Sequence, residues 1–150
     1  MKEREFVDKC FSKKLHGVPD TKSSRTKMVD DITSLITLPG LINLTRKDIK
    51  QVADKGKYFL GLSVEGKGKD RATKVGKKLI SLLPNKLKNN NSTSVIFNIT
   101  GSPDLTLYEV NDIAEYIYNA ANADADIIFG AVIDENKKDY VKATAVFGSN

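Results

Sequence analysis

The chain has 150 residues, 40% of them hydrophobic and 29% charged, with a net charge of +5, one cysteine and one histidine. That is the make-up of a globular domain long enough to build one core without disulfides or metals. It excludes a membrane span, since no apolar run approaches the roughly 20 residues a bilayer requires. It also excludes an internal disulfide, since Cys10 has no partner. The start, "MKEREFVDKCFSKKLHG", has no uninterrupted apolar core and no small-residue cleavage site, so it does not read as a secretory signal. A reducing, cytoplasmic setting without membrane insertion is expected.

Residues 1–22 are polar and contain "HGVPDTKSS", a loop signal, which predicts a poorly ordered arm with at most a short helix near Phe6 to Phe11. From Ser23 to Thr37, Met28, Val29, Ile32, Leu35 and Ile36 recur at helical spacing, and Pro39-Gly40 ends that helix. A short helix is expected over Arg46 to Asp54. "KYFLGLSV", Lys57 to Val64, is rich enough in aromatic and branched residues for a strand. A helix over Asp70 to Leu83 follows, with Ala72, Val75, Leu79, Ile80 and Leu83 inward and Pro84 as its stop. "SVIFNIT", Ser94 to Thr100, is the next strand.

Thr106-x-x-Glu109 is a capping box that opens a helix whose apolar face is Leu107, Val110, Ile113, Ala114, Ile117 and Ala121. "DIIFGAVI", Asp126 to Ile133, reads as a buried strand, joined through "DENKKD" to a last strand, Tyr140 to Phe147, in a hairpin. The order β-α-β-α-β-β predicts an α/β (α+β) fold. Its core is a four-stranded mixed sheet with two helices on one face, and the helix at 23–37 covers the other.

Charge is segregated. Residues 46–78 hold 11 basic and 4 acidic side chains, whereas 104–139 hold 2 basic and 9 acidic. The basic half allows a stand-alone nucleic-acid-binding module as an alternative function. Opposed surfaces equally suit head-to-tail self-association.

Short motifs carry little. "GLSVEGKG" has the Gly61-x4-Gly66-Lys67 spacing of a phosphate-binding loop. However, Gly68 stands where a metal-binding hydroxyl is needed, and Glu65 would face the phosphates. "KGKYFLGL" offers only Phe59 where an RNA-stacking strand needs aromatics at three positions; the others are Lys57 and Leu62. His16 and Cys10 lack the sequence neighbours of a nucleophilic or zinc site. In "PGLINLTRKDIK", Thr45-x-x-Asp48 fits a capping box, with the acid also complementing the helix dipole by about 0.3–1 kcal/mol.

Longer segments carry more. "ITSLITLPGLINLTRKDI" resembles the end of the central helix and the following synergy loop of the FtsZ family of bacterial tubulin homologues. "FNITGSPDLTLYEVNDIAEYIYNAANADADIIFGAVIDE" resembles the strand–helix–strand of that family's C-terminal domain, "GKDRATKVGKKLI" its preceding helix, and "DYVKATAVFGSN" its last strand. The resemblance runs from about Met28 to Gly148. It implies a C-terminal-type domain over 23–150, with 23–37 as a central-helix remnant and 40–48 as the synergy loop.

Three departures stand beside the resemblance. The nucleotide-binding glycine run Gly-Gly-Gly-Thr-Gly-Thr-Gly does not occur. The loop pattern Asn-x-Asp-x-x-Asp reads Asn43-Leu44-Thr45-Arg46-Lys47-Asp48, with Thr45 in place of the first acid. The linker and terminal peptide of the family are not in the sequence.

The resemblance therefore implies a cell-division role exercised in trans. Asp48 would orient water or a metal in a neighbouring subunit's GTP site, and Asn43 and Thr45 would contact the nucleotide. GTP, with Mg²⁺, would be held by that partner and not by this chain, which alone should neither bind nor hydrolyse GTP. The implied partners are a complete FtsZ, a separately encoded FtsZ N-terminal domain, or further copies of the chain. The implied place is the division site of the cytoplasm.

Overall fold

The structure is a computed structural model that describes residues 2–38 and 44–150. In chain order the elements are α1 (Glu3–Phe11), β1 (Leu15–His16), α2 (Lys22–Thr37), α3 (Arg46–Ala53), β2 (Tyr58–Gly66), α4 (Arg71–Ser81), β3 (Ser92–Gly101), α5 (Leu107–Ala120), β4 (Ala121–Ile133) and β5 (Val141–Ser149). The strands form one mixed five-stranded sheet in the order β1-β2-β5-β3-β4.

The sheet is the common wall of two cores, and the side-chain alternation of its strands sorts residues between them. On one face Leu60, Leu62, Val95, Phe97, Ala145 and Phe147 pack with Val75 and Leu79 of α4 and Ile113 and Ile117 of α5. On the other, Phe59, Ile96 and Val146 meet Val7 and Phe11 of α1, Val29 and Ile32 of α2, and Ile49 and Val52 of α3. Each large side chain so buried stabilises the fold by about 1.5–3 kcal/mol before ordering entropy is subtracted.

Helix starts follow their local chemistry. Thr21 Oγ1 accepts from Ser24 N to open α2. Thr106 and Glu109 close the expected capping box on α5. Two glycines permit close packing that a side chain would block. A Cβ on Gly61 would lie 2.7 Å from Met28 Cε where α2 crosses β2, and one on Gly76 would lie 2.2 Å from Tyr116 Cδ2 where α4 meets α5.

The mixed fold agrees with expectation, but four details differ. The sheet has five strands and not four, because the arm contributes β1, whose Leu15 and His16 pair in parallel with Phe59 and Leu60. The arm expected to be weakly ordered carries α1, with Val7 and Phe11 fully buried.

The last two strands do not form a hairpin. β5 pairs antiparallel with both β2 and β3, while β4 pairs in parallel with β3 at the sheet's edge. The 134–140 connection instead wraps the end of β3, where Asp134 N donates to Gly101 O (2.8 Å) and Ser102 N donates to Tyr140 O (3.0 Å). Leu107, expected inward, is 78% exposed. As the first residue of α5 it precedes the turn that meets the sheet.

Candidate functional site

The candidate site is the start of α3. Thr45, with extended backbone, is the N-cap. Its Oγ1 accepts from Asp48 N at 3.3 Å, while Asp48 Oδ2 accepts from Thr45 N at 2.9 Å. The capping box expected from the spacing is therefore formed, and two otherwise orphaned donors of the helix start are satisfied. Leu44 before the cap and Ile49, Val52 and Ala53 after it are buried, which fixes α3 against the sheet and α1. Asp48 remains half-exposed, and its Oδ1 makes no hydrogen bond to any described residue.

Arg46 is tied down by the arm. Its Nε donates to Glu3 Oε2 at 2.8 Å and its Nη2 donates to Glu3 Oε1. Its guanidinium also lies 4.9 Å from the centre of the Phe6 ring. The hydrogen bond from Arg46 holds the Glu3 carboxyl below its ordinary range, and the same bond pushes Arg46 upward. Thus α1 anchors the first turn of α3, two residues from Asp48.

Of the sequence-predicted residues, Thr45 and Asp48 sit together and are joined by two hydrogen bonds. Asn43, like Pro39 to Ile42, lies outside the described residues. His16 does have an acid beside it: its Nδ1 is 3.2 Å from Asp20 Oδ1, and its ring stacks on Tyr58 at 4.7 Å. Cys10 is partly buried, and burial pushes its thiol upward, away from reactivity.

A second polar centre escaped sequence reasoning. Arg71, buried at the start of α4, grips Glu109 of α5 through Nε (2.6 Å) and Nη2 (2.9 Å). Its Nη1 reaches Ser102 Oγ and Asp139 Oδ1, each at 3.4 Å, and its Nη2 lies 3.4 Å from Asp104 Oδ1. The hydrogen bond from Arg71 is the main cause holding Glu109 below the ordinary carboxylate range. For Asp104 the main cause is the Ser102 hydroxyl, with Arg71 adding to it. Arg71, Val75 and Leu79 share one helical face, so the inward period already contained a cation needing a partner. This knot joins α4, α5 and the 134–140 connection.

Among the described residues no group of three or more His, Cys, Asp or Glu side chains could hold a metal ion. Nor is any helix among them long and apolar enough to cross a membrane.

A mixed sheet with paired helices on one face, and a short capped helix among those on the other, is the architecture of a tubulin-like C-terminal domain. The family model described as "FtsZ family, C-terminal domain" matches residues 56–149. The cell division protein FtsZ of Rickettsia bellii (strain RML369-C) is 40% identical over 134 residues, which cover 80% of this chain and 28% of that protein. Its Rickettsia typhi counterpart is 39% identical and is covered over 29% of its length.

Among solved structures, an FtsZ mutant from M. jannaschii is 26% identical, with a TM-score of 0.72 over 85% of this chain and 40% of that one. The TubZ of Bacillus thuringiensis serovar israelensis shares the fold alone, at 11% identity and a TM-score of 0.55, over 87% of this chain and 38% of that one. The chain belongs to the FtsZ family, through its C-terminal domain. It spans under a third of the length of these curated Rickettsia relatives.

Proposed function

We propose that the chain acts in an FtsZ-type filament by presenting the start of α3 to the GTP site of a neighbouring subunit. Asp48 is its water-orienting carboxylate, and Asn43 and Thr45 lie beside the nucleotide. The observation that carries this reading is the half-exposed Asp48, fixed by one carboxylate oxygen to the Thr45 amide while the other makes no hydrogen bond to any described residue. Phosphoryl transfer needs chiefly positioning and electrostatics, so a carboxylate held rigidly by a cap can serve in trans.

The donor set is meagre. One carboxylate and a hydroxyl already engaged in the cap offer Mg²⁺ at most a single strong ligand, so the ion's remaining ligands would be phosphate oxygens and water. GTP and its metal therefore belong to the partner. That partner is a complete FtsZ or a separately encoded nucleotide-binding domain, at the site of division. Thr45 in place of an acid removes one negative charge near the phosphates, which favours docking over hydrolysis.

The test is GTP turnover by a complete FtsZ titrated with the chain, with light scattering to follow polymer. Turnover or polymer mass should change with the wild-type chain. Asp48→Asn, which keeps an acceptor for the cap, should abolish the change in turnover while leaving the fold intact. If both chains lower polymer mass equally, the chain is a passive cap and Asp48 has no chemical role. No effect from either would overturn the reading.

A further inference from the structure

The outer surface of α4 and α5 is divided by charge. α4 points Lys74, Lys77 and Lys78 to solvent, and α5 points Asp112 and Glu115. None of these five side chains forms an ion pair with any described residue; the one polar contact shown is Asn111 Nδ2 donating to Glu115 Oε1 at 3.3 Å. The opposite charges lie on neighbouring helices yet do not neutralise each other; among the described residues the one ion pair that links α4 to α5 is Arg71 with Glu109. α5 also exposes Leu107 (78%), Tyr108 (85%) and Tyr118 (49%), three of the five exposed large hydrophobic side chains of the described residues, and of these Tyr108 falls between Glu115 and Asp112 around the helix.

We infer that this face is an interface between two copies of the chain. The geometry makes it self-complementary. β2 and β3 both run antiparallel to β5, and β4 runs parallel to β3. The helices that return between these strands, α4 and α5, are therefore parallel to each other. They are also level with one another, because Gly76 abuts Tyr116. Thr73, Asp112, Glu115, Tyr116 and Asn119 line a shallow groove of about 350 Å³ between them.

A twofold axis along that groove lays α4 of one copy over α5 of the other at the same height. Lys74, Lys77 and Lys78 then oppose Asp112 and Glu115 of the second copy, and the symmetry repeats the match. An axis across the helices would instead set lysines on lysines. The two helices present roughly 400 Å² per copy, about half of a standard interface, so the association is weak and held partly by salt-sensitive charge pairs.

Sedimentation of the full chain over a wide concentration range tests this without any FtsZ present. A monomer–dimer equilibrium is expected at low ionic strength, with at least a tenfold loss of affinity as salt is raised to about 0.5 M. Lys77→Glu/Lys78→Glu should be monomeric, and so should Asp112→Lys/Glu115→Lys. An equimolar mixture of the two should regain a heterodimer, since one chain then carries a face that is acidic except at Lys74 and the other a wholly basic one. Unchanged far-UV circular dichroism and melting temperature confirm that each variant is folded, as expected for exposed positions. An Asp48→Asn chain should dimerise like the wild type, which separates this surface from the proposed GTP-site role.

A chain that stays monomeric throughout would overturn the inference. So would a dimer indifferent to both charge swaps, or a mixture of the two variants that fails to associate.

Discussion

Thr45 and Asp48 illustrate a residue pair in which the structural duty is settled and leaves room for a chemical one. The cap uses Thr45 Oγ1 and Asp48 Oδ2, and an aspartate at the cap position would accept the same amide at least as well. Thr45→Asp should therefore leave stability within about 0.5 kcal/mol in urea unfolding. If this loop completes a neighbour's GTP site, the same change should raise turnover in the mixed assay, because a second carboxylate then faces the water. Unchanged turnover would mean that position 45 does not reach the nucleotide.

Arg71 gives a prediction at the same scale. Removing it leaves Glu109, only one-fifth exposed at its side chain, without its bidentate partner. Arg71→Met should cost about 3 kcal/mol, the low end for a broken buried pair, because Glu109 keeps the Thr106 amide. The pH dependence has a definite sign. A carboxylate held below its ordinary range contributes stability that is complete above that range and lost as pH falls through the folded value. Wild-type stability should thus decline below about pH 4, and the decline should be shallower in the variant. Urea titrations at several pH values check both statements.

At the scale of elements, the helical periods at Met28–Leu35, Ala72–Leu79 and Val110–Ile117 were legible because those helices bury one stripe each. The regular ladder of β4, Asp126 to Ile133, was legible as a continuous apolar run. Its extension back to Ala121 was not, since "ANADA" alternates small and polar residues and the register slips there. A two-residue strand such as β1 has no period to read. The β4–β5 connection misled because six polar residues suit a hairpin loop, whereas the hydrogen bonds that route it past β3 are long-range. α1 was underread for another reason: Val7 and Phe11 are one helical turn apart, but the loop signal after them dominated the segment. Of the candidate site, the cap was readable from spacing, while the Glu3–Arg46 anchor spans 43 residues and left no local trace.

That arm is testable as an element. Phe11 is fully buried, and its ring meets Phe59 edge-on at 5.1 Å, so α1 is stitched to β2 in the sheet. Phe11→Ala should cost about 3–5 kcal/mol by leaving a cavity that the sheet cannot collapse into. Chemical denaturation measures it directly. A cost below 1 kcal/mol would mean that α1 is not held as the structure places it.

For the whole molecule, the sheet is what makes two cores into one folding unit. Phe59, Ile96 and Val146 belong to the cluster under α1, α2 and α3, while their strand neighbours Leu60, Val95 and Phe147 belong to the cluster under α4 and α5. Neither helical layer can lose its packing without stripping one face of the same hydrogen-bonded strands. The Arg71 knot adds a tie from α4 to the 134–140 connection, and Lys55 beside β2 pairs with Asp126 on β4 across the sheet. The chain should therefore unfold in urea as a single transition, with far-UV and near-UV circular dichroism coincident, as small cooperative domains do. Phe11→Ala should move that one midpoint without splitting it, because the damage on one face is felt through strands that serve both. Two separated transitions, with the near-UV signal of the α1–α3 side lost first, would show that the arm and its helices form an independent layer.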